Sequence, residues 1–371
     1  MKNTPGNIPF FSFSRINSIE RNEIFEQFKK VYDSQYYVLG TSVKQFEEQF
    51  AAYCGTHYCV GVGNGLDALF LSLTALDIGR GDEVILPSNT YIATVLAVSY
   101  VGATPVFVEP NEATFNINYK NIETAITSKT KAIIPVHLYG QACEMKQIMD
   151  IAERHSLFVI EDNAQSQGAM NNNKRTGSFG TLNCTSFYPA KNIGALGDAG
   201  AINTNDEKLK VKLHELRNYG SKVKYVNDVI GYNSRLDELQ AAFLSVKLKY
   251  LEQWNRERQE VAAIYNSLLK GVGDILLPAV ADNSTSVYHQ FVIRTGKRNL
   301  LMEHLNKNGI GTLIHYPIPP HLQKAYSHLK YVKGDFPIAE TMADTCLSLP
   351  VYPGLQKNEA EFIAETMKAF Y

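Results

Sequence analysis

A chain of 371 residues can bury a large core and divide into two domains. With 36 basic against 37 acidic residues and a sequence pI near 6.8, it carries no basic field to attract nucleic acid and no acidic tail, so its partners are expected to be small ligands held at a local site. The five cysteines, Cys54, Cys59, Cys143, Cys184 and Cys346, never show C-x-x-C spacing, which argues against a disulfide framework or a metal site. The start, MKNTPGNIPFFSFSRINS, lacks the apolar run of a signal peptide and no stretch approaches a membrane span, so a reducing, cytoplasmic setting is expected.

Asn17 and Glu20 have capping-box spacing. Ile24, Phe25, Phe28, Val31 and Tyr32 then recur at helical intervals, which predicts a first amphipathic helix. From about residue 57, β-rich runs alternate with helical stretches. The runs are EVILP (83–87), TPVFVEP (104–110), KAIIPVHLYG (131–140) and LFVIED (157–162), with helices at about 66–77, 92–101 and 144–155. Strands joined by helices of that length form right-handed crossovers in a mostly parallel sheet, and ligands bind beyond the carboxyl ends of such strands. GNGLDAL, VHLYGQ and EDNAQ occupy positions of that kind.

Residues 235–270 show one long helical pattern, with Leu236, Leu239, Phe243, Val246, Tyr250 and Trp254 three and four apart. Beyond it come the strand-like YHQFVIR (288–294), a helix near 298–308, the proline-rich HYPIPPHLQ (315–323), and helical stretches near 335–346 and 357–370. The organisation expected is a large α/β domain over 1–245, carrying the N-terminal helix, and a smaller α+β domain over 246–371.

The stretch SFYPAKNIGALGDAGA (186–201) sets one lysine, Lys191, among glycines and alanines, with no second charge until Asp198. Small residues let a bound molecule approach closely, so the amine is a candidate for ligand contact; a solvated surface loop is the plainer alternative. An ordinary amine is protonated at neutral pH, but a carbonyl partner forms a Schiff base with it, and pyridoxal phosphate is the commonest such partner. That cofactor needs an acidic group at its pyridine nitrogen, and Asp162, directly after the apolar FVIE, is well placed unless it merely caps the next helix. It needs backbone N–H groups for its phosphate, which Gly65 and Leu66 offer where GNGLDALFLSL turns into a helix. It also needs an aromatic face, which Tyr91 can supply if it is not a core residue, and Ser186 adds a hydroxyl for the phosphate. Ala68 stands where G-x-G-x-x-G requires its third glycine, which counts against a dinucleotide site.

With these pieces in place, the chain resembles the DegT/DnrJ-type sugar aminotransferases, pyridoxal phosphate enzymes of the aspartate aminotransferase fold (fold type I), over essentially its whole length. Matching blocks, in order, are GNGLDAL, PSNTYIATVLA, PVHLYGQ, IEDNAQSQGA, GSFGTLNCTSFYPAKNIGALGDAGA, GYNSRLDELQAAFL and HYPIPPHLQ. The resemblance implies that Lys191 forms the Schiff base and shuttles the proton, that Asp162 partners the pyridine nitrogen, and that Gln165 donates to the phenolic oxygen. Tyr91 would stack on the ring, while Gly65, Leu66 and Ser186 hold the phosphate with Asn233 from a second subunit, so the site would be completed in a homodimer. Leu66 departs from the threonine or serine usual in the family, losing a hydroxyl but keeping the amide. The intact lysine argues against the branch that performs dehydration with histidine in its place.

The implied reaction moves an amino group from L-glutamate to a nucleotide-linked keto-deoxyhexose. By resemblance the acceptor is the 3-keto carbon of a dTDP-6-deoxyhexose, yielding a dTDP-3-amino-3,6-dideoxyhexose, with amination at C4 as the alternative. His315, Tyr316 and His321 are candidates for lining the sugar pocket, against the alternative of a rigid surface loop. Arg217 and Arg235 are candidates for the nucleotide diphosphate, against surface or interface ion pairs. An amino-acid transaminase, a dinucleotide-dependent sugar enzyme and a nucleotide-sugar-binding regulator are the competing readings. The first wants an identifiable arginine pair, the second a glycine fingerprint, and the third has no need of Lys191 or Asp162.

Overall fold

The computed structural model describes residues 6–18 and 20–371. Seven strands, β1 (Tyr58–Val62), β2 (Glu83–Pro87), β3 (Thr104–Val108), β4 (Thr130–Ile133), β5 (Phe158–Asp162), β6 (Leu182–Ser186) and β7 (Gly200–Thr204), form one sheet in the order β1-β7-β6-β5-β4-β2-β3. The pairs β3–β2, β2–β4, β4–β5 and β5–β6 are parallel, whereas β7 runs against both of its neighbours. The four expected runs are all strands. The other three, YCVGV, LNCTS and GAINT, carry too many small or polar residues to stand out as apolar runs.

Alternation along β2 shows why the sheet needs cover on both sides. Val84 and Leu86 join one buried cluster with α3 (Gly65–Ala75), α4 (Ile92–Tyr100) and α6 (Glu207–Leu216), whereas Ile85 joins another with α5 (Met145–Arg154) on the opposite face. Each of those β2 side chains is fully buried, a contribution of about 2 kcal/mol apiece. Helix α2 (Thr41–Cys54) places Phe46 and Phe50 against Phe187 and Ala201, packing the lysine loop from behind.

Helix α1 (Arg21–Ser34) forms as its periodicity predicts, but the capping box does not. Asn17 ends a short helix, Phe13–Ile16, while Glu20 takes the N-cap position of α1 without a side-chain capping bond and lies buried 3.7 Å from Lys247. Along α1 only Val31 is buried, and Phe25, Phe28 and Tyr32 are exposed. The pattern expected as one helix over 235–270 is two, α7 (Glu238–Leu248) and α8 (Leu251–Leu268), turning at Lys249 and Tyr250. The expected boundary after residue 245 therefore falls inside α7.

In the C-terminal unit, β8 (Phe291–Arg294) pairs antiparallel with β9 (Cys346–Leu349), and α8, α9 (Arg298–Lys307) and α11 (Lys357–Phe370) pack around them. The N-terminal stretch belongs to this core and not to the large sheet's: Ile8 bridges to Ile310, and Arg15 pairs with Glu359. The two units also share contacts. Glu109, just past β3, accepts the backbone N–H groups of Ile338 and Ala339 at the start of α10 (Pro337–Thr345) at 2.7 and 3.1 Å, and Met342 and Cys346 enter the large unit's core.

Candidate active site

The carboxyl ends of β1, β2, β5 and β6 bring the expected cofactor residues onto one edge of the sheet. After β1, the Asn64 side chain caps α3 by accepting from Asp67 N–H at 2.8 Å, which leaves the Gly65 and Leu66 amides of the first turn without intrahelical partners. Gly65 is required there by space: a Cβ would come within 2.5 Å of Ser186 Cβ. Gly200 on β7 is equally constrained, since its Cβ would lie 2.4 Å from the Asn64 carbonyl oxygen. The result is a helix N-terminus with two amides that have no intrahelical partner, flanked by the Ser186 hydroxyl, an arrangement able to hold an anion.

Asp162 ends β5 with 6% exposure. Its Oδ2 accepts from Thr94 Oγ1 at 2.9 Å and its Oδ1 from Ala164 N–H at 3.1 Å. Burial pushes this carboxyl up, opposed by those two bonds and by the charge of Lys191. Lys191 follows β6 on a turn closed by its own N–H to the Tyr188 carbonyl at 2.8 Å. Desolvation pushes its amine down to about 8, with the Asp162 charge pulling the other way, and among the described residues no hydrogen bond engages Nζ. An amine so placed is half neutral near pH 8, which suits it to nucleophilic and general-base work.

Gln165 Oε1 accepts from Tyr139 N–H at 2.7 Å, and Nε2 donates to Tyr316 Oη at 3.0 Å. Tyr91 precedes α4 and is 51% exposed, its ring 5.2 Å from that of Tyr316. It is therefore not a core tyrosine and has a face free to stack. His315 Nδ1 lies 2.8 Å from Ser348 Oγ, and burial together with the Lys191 charge pushes the imidazole down to about 4, so it is neutral at physiological pH. Tyr139 joins these pieces, since its hydroxyl donates to the His315 carbonyl. It was not singled out from the sequence, and the only signal was its place in VHLYGQ beyond a strand. Thr94, on the buried face of α4, was missed as well.

Two expected residues, His321 and Arg217, lie elsewhere. His321 is 1% exposed, with Nε2 3.0 Å from Glu340 Oε1 and its ring between Phe107 and Phe336, so it is a core histidine and does not line the cleft. Arg217 is 6% exposed and bonds Glu47 Oε1 at 2.5 Å and the Gly61 carbonyl at 2.7 Å, so the ion-pair alternative holds and the guanidinium has no free face for a diphosphate. Asn233, expected to serve a second subunit, is exposed and pairs with Asn218, on a stretch continuous with the ribbon Ser221–Val223/Val226–Asn227. Arg235 bonds Asn218 Oδ1 at 3.0 Å and lies over the Tyr219 ring.

The donors suit pyridoxal phosphate: an amine without a partner, a buried carboxylate, two free amides at a helix start and an exposed aromatic ring. Comparison with known proteins agrees. Residues 18–368 match the DegT/DnrJ/EryC1/StrS aminotransferase family. A protein of Aneurinibacillus thermoaerophilus named dTDP-3-amino-3,6-dideoxy-alpha-D-galactopyranose transaminase is 52% identical, covering 98% of this chain and 99% of its own. The erythromycin biosynthesis sensory transduction protein EryC1 of Saccharopolyspora erythraea is 47% identical, covering 98% and 99%. The crystal structure of S. venezuelae DesV in complex with a ketimine intermediate superposes with a TM-score of 0.97 at 44% identity, covering 98% of each chain. Sheet topology, site and sequence thus converge on one assignment: the chain belongs to the DegT/DnrJ/EryC1/StrS aminotransferase family.

Proposed function

We propose that the protein is a pyridoxal phosphate-dependent sugar aminotransferase that moves the amino group of L-glutamate to the 3-keto carbon of a dTDP-linked 6-deoxyhexose, giving a dTDP-3-amino-3,6-dideoxyhexose. The observation that carries this reading is the Lys191 amine, depressed by desolvation, free of hydrogen bonds and within electrostatic reach of Asp162. The choice of C3 and of dTDP is supported by the name of the 52% identical relative. The name of the S. erythraea relative suggests a regulatory alternative, against which the intact Lys191 and Asp162 weigh.

When bound, pyridoxal phosphate supplies a carbonyl for the substrate nitrogen and a ring that takes up electrons from the adjoining carbon. The chain does the rest. The Gly65 and Leu66 amides and the Ser186 hydroxyl would hold the phosphate, Asp162 would meet the ring nitrogen, and Tyr91 would cover the ring. Gln165, whose Oε1 is held by Tyr139 N–H, would offer its Nε2 to the phenolic oxygen. Lys191 Nζ would move the proton from the donor carbon to the cofactor's C4′ carbon in the first half-reaction, and from C4′ to the sugar carbon in the second. Neutral His315 and Tyr316 serve the sugar hydroxyls, and Arg235 the diphosphate.

The partner is a second copy of the chain, which brings Asn233 to the phosphate. The exposed aromatic face of α1 and the exposed Tyr225 and Ile230 beside Asn233 support that pairing. A cytoplasmic location accords with five buried free thiols.

Absorption spectra test the reaction. The protein loaded with pyridoxal phosphate should lose the band of its lysine-bound cofactor on addition of L-glutamate and regain it with a dTDP-3-keto-6-deoxyhexose. Recovery with the 4-keto isomer instead would move the chemistry to C4, and no lysine-bound band in a folded protein would leave the binding-protein reading.

A further inference from the structure

Asp162 faces a conflict. The role just proposed needs its carboxylate ionised against the ring nitrogen, yet burial favours the neutral acid. The largest offset comes from Thr94, which reaches Oδ2 at 2.9 Å. An ionised carboxylate has no proton to give, so the Thr94 hydroxyl donates and its oxygen is left as an acceptor. Thr90 Oγ1 lies 2.9 Å from that oxygen and donates in turn. Both threonines are 1% exposed, so bulk water does not compete for either bond.

Local structure fixes this chain of hydroxyls. Thr94 sits in the first turn of α4, its N–H bonded to the Tyr91 carbonyl at 3.2 Å. Threonine's β-branch limits χ1 on a helix, which aims the hydroxyl. Of the other titratable groups around Asp162, Lys191 favours the anion, while Tyr316, Cys143 and Cys184 are held neutral by burial.

We propose that Thr94, backed by Thr90, is a positioning residue that keeps the Asp162 carboxylate ionised and directed at the cofactor's ring nitrogen. The proposal rests on the cofactor reading above and assigns a task within it to two residues that touch neither cofactor nor substrate.

The test measures binding to the full-length protein freed of cofactor. Dissociation constants are determined for pyridoxal phosphate and for its 1-deaza analogue, in which a CH replaces the ring nitrogen. Thr94→Val should weaken pyridoxal phosphate about tenfold, the scale of one charge-assisted hydrogen bond, and change the analogue by less than about twofold. Thr94→Ser should restore the wild-type value, and Thr90→Val should shift it in the same direction as Thr94→Val but by less. Equal losses for both ligands, or no loss for pyridoxal phosphate, would overturn the proposal. Asp162→Asn separates the two ideas. If it too fails to discriminate between the ligands, the assignment of Asp162 to the ring nitrogen falls; if it discriminates and Thr94→Val does not, the threonine proposal alone falls.

Discussion

Glu161 and Asp162 are neighbours at the end of β5, on opposite faces of the sheet, and their surroundings differ in kind. Glu161 is fully buried and accepts from His137 Nε2 at 2.7 Å and from the backbone N–H groups of Gly177, Phe179 and Gly180. His137 Nδ1 accepts from Cys143 N–H at 3.0 Å, which fixes the Nε2–H tautomer and makes the imidazole a neutral donor. Burial alone would raise the Glu161 carboxyl, but the His137 and backbone bonds outweigh it and hold the group below its usual range. Asp162 has two donors and stays raised. A carboxylate with its lone pairs filled holds the fold together, whereas one left short is available to a ligand.

Substitutions can break this contrast. The largest effect is expected on the ligand side: Lys191→Ala should lower transamination by at least about 10⁴-fold, with an unchanged thermal midpoint for the cofactor-free protein. On the structural side, Glu161→Gln puts an amide among donors and should cost about 3 kcal/mol of stability by denaturant unfolding. The pH dependence carries a sign. A depressed carboxyl contributes stability above its unfolded pKa and loses it as pH falls through the folded value, so Glu161→Gln should flatten the acid limb of stability against pH. The smallest and most specific effect concerns the amine. Labelling of Lys191 in the cofactor-free protein should titrate near pH 8, and Asp162→Asn should lower that midpoint, since the Asp162 charge raises it. An unchanged midpoint would show that the two groups do not sense each other.

The same distinction explains what was legible in the amino-acid sequence. EVILP and FVIED read as strands because buried parallel strands present continuous apolar runs. LNCTS did not, since the polarity of Asn183 and Thr185 is absorbed by bonds to the Asn203 carbonyl and to Asn163, partners supplied only by the folded sheet. The turn between α7 and α8 has no proline or glycine to announce it. Lys191, Asp162 and Gly65 stood out by isolation, strand-end position and turn chemistry, all local properties. That His321 and Arg217 are internal, and that Thr94 meets Asp162, follow from which elements pack together, and no window of sequence holds that.

The reversed strand β7 has a consequence in time. Gly200 is level with Val62 on one side and with Ser186 on the other, so the seat at Gly65 joins an early stretch of chain to two consecutive strands made much later. None of the earlier strands can close it alone. During translation the chain therefore cannot assemble its cofactor seat until β7 has emerged and inserted between β1 and β6.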